Sequence, residues 1–139
     1  MIAPVERMRR AMFARHANPW SAWTRWASTP LVLLPVWTRS RSHGLLVATW
    51  FALNPIIFPK ITDERNWATR AMLGEELWIT HRPKDSAAVL SVVTSLLAVA
   101  ALVAARRHRA VPAAVTTAAQ MALTLVYWQL MVRYLDRHR

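Results

Sequence analysis

Three short strings hold most of the residues that could do chemistry: His16-Ala17-Asn18-Pro19-Trp20, Asn54-Pro55-Ile56-Ile57-Phe58-Pro59, and Asn66-Trp67 followed by Gly74-Glu75-Glu76-Leu77-Trp78. An imidazole, three amides and a carboxylate brought together would form a polar pocket able to position a lipid or quinone-like substrate and move a proton. His16, Asn18, Arg25, Asn54, Asn66 and Glu75 are the candidate set. The competing reading is local. A proline disfavours helical geometry in the residue ahead of it, and an Asn side chain satisfies free backbone groups, so Asn-Pro marks helix ends. Boundary marking is the favoured reading of both Asn-Pro pairs, with convergence on one pocket as the alternative.

Other chemistries find less support. The histidines at 16, 43, 81, 108 and 138 include no pair at i, i+3 or i, i+4 and no HExxH arrangement, so no metal is expected. Neither long apolar run contains a histidine to hold a haem, and no cofactor is expected. Glu75 and Glu76 are adjacent, and neighbours on a helix point about 100° apart, so they cannot face one another as a catalytic dyad. Glu75 is the better inward-facing candidate, and a salt bridge to Arg25 or Arg70 is favoured over catalysis. Proton-coupled transport needs an ionisable residue within a span, where the last two runs offer only Gln120 and Gln129. The absence of cysteine excludes disulfides and thiol catalysis.

The elements that must position these groups are membrane helices. Ser86 to Ala105 and Ala110 to Val132 contain no charged residue and are separated only by Arg106-Arg107-His108-Arg109. As helices they measure about 30 and 34 Å, close to the roughly 30 Å hydrocarbon core of a bilayer. They predict a transmembrane hairpin. Upstream, Trp26 to Thr38 is uncharged but carries Pro30 and Pro35, and Ser42 to Pro59 is uncharged throughout. The first of these is short for a span, which makes it either a kinked, tilted helix that borrows from Ser21 onward or a re-entrant segment. The expected fold is all-α: a single membrane domain over 1–139, with a first hairpin at 21–38 and 42–59 and a second at 86–105 and 110–132. Interfacial amphipathic helices are expected at 5–15 and 61–82. The stripes Ala87/Ser91/Ser95 and Ala114/Ala118/Ala122 are the expected seam of the second hairpin. Trp20, Trp23, Trp26, Trp37, Trp50, Trp67, Trp78 and Trp128 are read as interface aromatics.

The net charge of +11 is assigned by where the basic residues lie. They sit between apolar runs, a placement that serves anionic lipid headgroups and orientation and not nucleic acid. With four spans, 13 Lys and Arg fall on one side and 5 (Arg39, Arg41, Arg106, Arg107, Arg109) on the other, which places both termini in the cytoplasm. Met1 to Trp20 has no apolar core of secretory type, so insertion is expected to depend on the spans themselves.

HANPWSAWTR from His16, PLVLLPVW from Pro30, NPIIFP from Asn54 and NWATRAMLGEELW from Asn66 together resemble an uncharacterised family of small prokaryotic membrane proteins. The resemblance covers roughly residues 16 to 82. It implies a polytopic protein of a prokaryotic inner or intracytoplasmic membrane and no established activity. The leading functional expectation is a non-catalytic accessory subunit that packs against other membrane protein subunits. An interfacial enzyme acting on a lipid or quinone-like substrate is the alternative, and a small transporter the third.

Overall fold

The computed structural model describes residues 3–139, all of whose regular elements are helical. In chain order they are α1 (Pro4–His16), α2 (Pro19–Ala27), a 3-10 helix (Thr29–Leu33), α3 (Leu34–Thr38), α4 (Arg41–Ile57), α5 (Trp67–His81), α6 (Ser86–Arg106) and α7 (Ala110–Arg137). Their ends are written locally. Pro4 opens α1, Asn66 caps α5 by accepting from the Ala68 N–H, and Asp85 caps α6 by accepting from the Ala88 N–H at 3.0 Å. Arg39, Arg82 and His108 take left-handed backbone angles, with φ between 50° and 54°, where chains commonly place glycine. Chain contacts divide the molecule into two compact units.

The first unit holds residues up to Arg25, Phe51–Arg82 and Trp128–Arg139. Here α1 packs along α5, and the loop after α4 is tied back to α1 by Ile61 N–H donating to the Ala14 carbonyl at 3.0 Å. Asn18 Nδ2 donates to Pro59 O at 3.1 Å, and Thr69 Oγ1 to Ala17 O at 2.6 Å. Gly74 of α5 lies against the α7 backbone. A Cβ built there would stand 2.0 Å from Met131 O, so only a glycine permits this approach. The predicted interfacial helix at 61–82 thus forms only from Trp67 onward, after a loop fixed by its own hydrogen bonds.

The second unit holds Trp26–Trp50 and Pro83–Tyr127. Residues 21–38 do not make one continuous helix. Pro30 stands in the 3-10 stretch and Pro35 in the first turn of α3, each removing a backbone donor. This broken segment packs on α6. At one end Trp26 Nε1 donates to Met121 O at 2.9 Å, and at the other Arg39 Nη2 reaches Arg106 O at 3.5 Å while the Trp37 and His108 rings approach to 4.7 Å. Trp50 Nε1 donates to Ser28 Oγ at 2.8 Å, bringing α4 alongside.

α6 and α7 are the two helices long and apolar enough to cross a bilayer. Many of their large side chains point outward, with Val89, Val92, Leu96, Val99, Val111 and Val115 each more than half exposed, while Trp128, Met131, Val132, Tyr134 and Leu135 at the far end of α7 are buried. The expected seam is corrected in part. Ala87 is buried and Ser91 half-buried, but Ser95 is exposed, as are Ala114, Ala118 and Ala122. The covered residues are instead Thr94, Ala98 and Ala101 on α6, and Ala113, Thr117 and Gln120 on α7. A stripe at steps of four drifts around a helix by about 40° per step, whereas alternating steps of three and four hold one direction. Thr29, Val32 and Leu33 share a small void of about 50 Å³ with Ala98, Leu102, Thr117 and Gln120, so the proline-broken segment packs on both helices.

Candidate functional site

The densest polar cluster of the first unit is centred on Arg25. Ser21, Thr24 and Arg25 share one face of α2 at steps of three and four. Arg25 Nη1 donates to His16 Nδ1 at 2.7 Å and to Ser21 Oγ at 2.9 Å, while its Nη2 approaches Met72 Sδ at 3.4 Å. A nitrogen accepting at 2.7 Å carries a lone pair, so the ring proton sits on Nε2 and the 3.3 Å approach of Nη2 to Nε2 is proximity only. Ser21 Oγ donates to Asn54 Oδ1 at 2.9 Å, and Asn54 Nδ2 donates to Thr24 Oγ1 at 2.8 Å. Asn54 and Ser21 are fully buried. Asn54 does not end its helix: α4 runs through Pro55 to Ile57, and the amide is turned sideways into the cluster.

The electrostatics follow from this packing. Burial, and then the neighbouring Arg25 charge, lower His16 from an ordinary 6.5 to about 4, so the ring is neutral near pH 7. Glu75 acts on the same guanidinium with the opposite sign, partly compensating its charge. Its neighbour Glu76 lies elsewhere on α5; burial raises its carboxyl, against the pull of Arg9 and Arg10. The chain therefore brings together His16, Arg25, Asn54 and, through charge, Glu75. Asn18 and Asn66 do different work. Asn18 Oδ1 accepts from the Trp20 N–H at 2.9 Å and Asn66 Oδ1 from the Ala68 N–H at 3.0 Å, each at the start of a helix.

Ser21, Thr24 and Met72 complete the cluster, and the sequence reading does not include them. Two hydroxyls close ahead of an arginine on the same helix were the available signal. Thr69, bonded to Ala17 O on the opposite side, is likewise added by the structure.

The tryptophans divide. Trp20 is 71 % exposed. Trp23, Trp67 and Trp128 instead form one aromatic group, with ring centroids 5.2 to 5.9 Å apart, and Trp67 Nε1 donates to Gln129 Oε1 at 2.8 Å. Such pairs stabilise beyond their buried area. Trp26, Trp37 and Trp50 make the contacts within the second unit already described, and Trp78 is half-buried on α5. At the end of the chain Tyr134 stacks on His138 at 4.0 Å and its hydroxyl meets His81 Nδ1 at 2.5 Å. Arg70 pairs with Asp136, and Arg139 with Glu64 at 2.6 Å.

Chemically, the Arg25 cluster is a clamp. Its donors and acceptors are joined to each other, and an imidazole held near 4 is a poor base at neutral pH. No curated protein and no solved structure matches the chain. A family model does match, across residues 5–135. The chain belongs to that family, described as a family of unknown function, DUF6653.

Proposed function

We propose that this protein is a non-catalytic accessory subunit of a larger membrane protein complex, crossing the bilayer four times with both termini in the cytoplasm. One observation carries the reading: the residues with the greatest chemical potential, His16, Arg25, Ser21 and Asn54, bond to one another and join α1, α2, α4 and α5. Polar groups committed in this way rigidify a fold and leave recognition to the surface. That surface offers outward valines and leucines on α6 and α7 and the exposed Val5, Met8 and Trp20 near the N-terminus.

Two features support the four-pass arrangement. Arg39 and Trp37 meet Arg106 and His108, so the tips of the two hairpins share one end, as the 13-to-5 distribution of basic residues requires. The segment 26–39 is short because its prolines break it, and tilt with snorkelling of Arg25 completes the crossing.

Purification from native membranes in mild detergent is expected to recover a stoichiometric membrane partner. Recovery of a monodisperse monomer alone would overturn the accessory role. For the enzyme alternative, Asn54→Ala and Glu75→Gln proteins that fold but fail to complement a deletion strain would be the contrary result.

A further inference from the structure

In the second unit an open groove of about 650 Å³ runs between α3 and α6, lined by Pro35, Val36, Val99, Leu102 and Val103 together with Arg106 and Arg107. Its volume falls in the range of small-molecule sites. Its chemistry suits an apolar chain with a charged head: five apolar residues, two from α3 and three from α6, and two arginines at the end of a candidate span.

The charge at that end is one-sided. Arg39, Arg41, Arg106, Arg107 and Arg109 gather near the tips of the two hairpins. The one carboxylate in this unit, Asp85, caps the opposite end of α6, about 30 Å away along a helix of 21 residues. The negative end of the α6 dipole offsets only about half an elementary charge. A cluster of this sign beside a hydrocarbon-depth groove complements a ligand with an anionic head and an apolar tail.

We propose that this groove is a binding site for one anionic phospholipid, its acyl chain against Val99, Leu102, Val103 and Pro35 and its phosphate on Arg106 and Arg107. The site rests on the reading of α6 as a span but not on the accessory role.

The test is native mass spectrometry of the full chain in a neutral detergent with added phosphatidylglycerol or phosphatidylcholine. One phosphatidylglycerol should be retained at collision energies that strip phosphatidylcholine, with apparent affinity at least 10-fold higher. Arg106→Gln with Arg107→Gln should remove that preference, and Val103→Trp, which fills the groove while keeping the charges, should weaken retention of both lipids. Dihexanoyl phosphatidylglycerol, which has the head without long tails, should bind poorly. Equal retention of the two lipids, no effect of either variant, or binding of inorganic phosphate with the affinity of the lipid would overturn the proposal. Extraction of the wild-type chain from membranes by alkaline carbonate would show that the span reading itself had failed. A chain that resists carbonate yet shows no lipid preference would defeat the lipid site alone.

Discussion

At the scale of the residue, His16 decides how the N-terminal unit responds to acid. Its imidazole is held neutral by burial and by Arg25, with its pKa lowered from 6.5 to about 4. The folded state thus binds the proton less readily than the unfolded chain, so this contribution is complete above about pH 6.5 and is lost as pH falls toward 4. A shift of that size corresponds to on the order of 3 kcal/mol at full expression. Thermal melts in detergent should therefore show a steep loss of stability from pH 6.5 to 4, and His16→Gln, which keeps an acceptor for Arg25 without titrating, should flatten it. Equal acid limbs in the two proteins would remove the imidazole as the cause. The sequence pointed to His16, Arg25 and Asn54 because rare polar types stand out at membrane boundaries. It could not separate Asn54 from Asn18 and Asn66, since an Asn that caps a helix and an Asn buried in a network look alike until the partner 33 residues away, Ser21, is in place.

At the scale of the element, α5 approaches the backbone of α7 at Gly74. Gly74 meets the carbonyl of Met131 with no room for a methyl group, and the aromatic group of Trp23, Trp67 and Trp128 lies in the same unit. Backbone cannot yield as a flexible side chain can, so Gly74→Ala should cost about 3 kcal/mol or more, at the upper end of the range for overpacking. The readout is the detergent melting temperature, with Gly44→Ala as control, because a Cβ there would sit 3.6 Å from Pro35 Cβ in ordinary contact. A Gly74→Ala protein as stable as the control would contradict the geometry. The boundaries of α6 and the start of α7 were legible from charge alone, since a run without charge ends where arginine begins. The true seam was not legible. Alanine is small enough to face either a neighbour or lipid, and nothing in the types of Ala113 and Ala114 says that the first is buried and the second exposed. The end of α7 was also missed: the helix continues past the apolar run to Arg137 because Tyr134, Leu135 and Asp136 are held by residues of the N-terminal unit, Asp136 by Arg70 and Tyr134 by His81.

At the scale of the whole molecule, the distribution of charge makes a topological claim. The chain has no cysteine, so single cysteines can report each loop without background. Cysteines at Ser40 and Arg109 should react with a membrane-impermeant maleimide from outside the cell, and cysteines at Thr62 and His138 only after permeabilisation. Labelling at Arg109 but not at Ser40 would make the first hairpin re-entrant and end the four-pass reading. The two helices long and apolar enough to cross a bilayer were the most legible property of the chain, because two long uncharged runs are a signal that survives without any knowledge of packing. The first apolar half was the least legible, because its prolines break the helix expected over 21–38 into three pieces.

The proline-broken segment also sets an order of events during synthesis. Its anchors lie far downstream: Trp26 bonds to Met121, Thr29 and Val32 share a void with Thr117, and Arg39 meets Arg106. When residues 26–39 leave the ribosome, none of those partners has been made. The short apolar stretch from Thr29 to Thr38 is too brief to hold a bilayer unaided. On the four-pass reading, the first hairpin gains these anchors only once the last helix is made, about 80 residues later at roughly 5 to 20 residues per second. Synthesis of that length takes on the order of several seconds, and throughout it residues 26–39 lack these anchors.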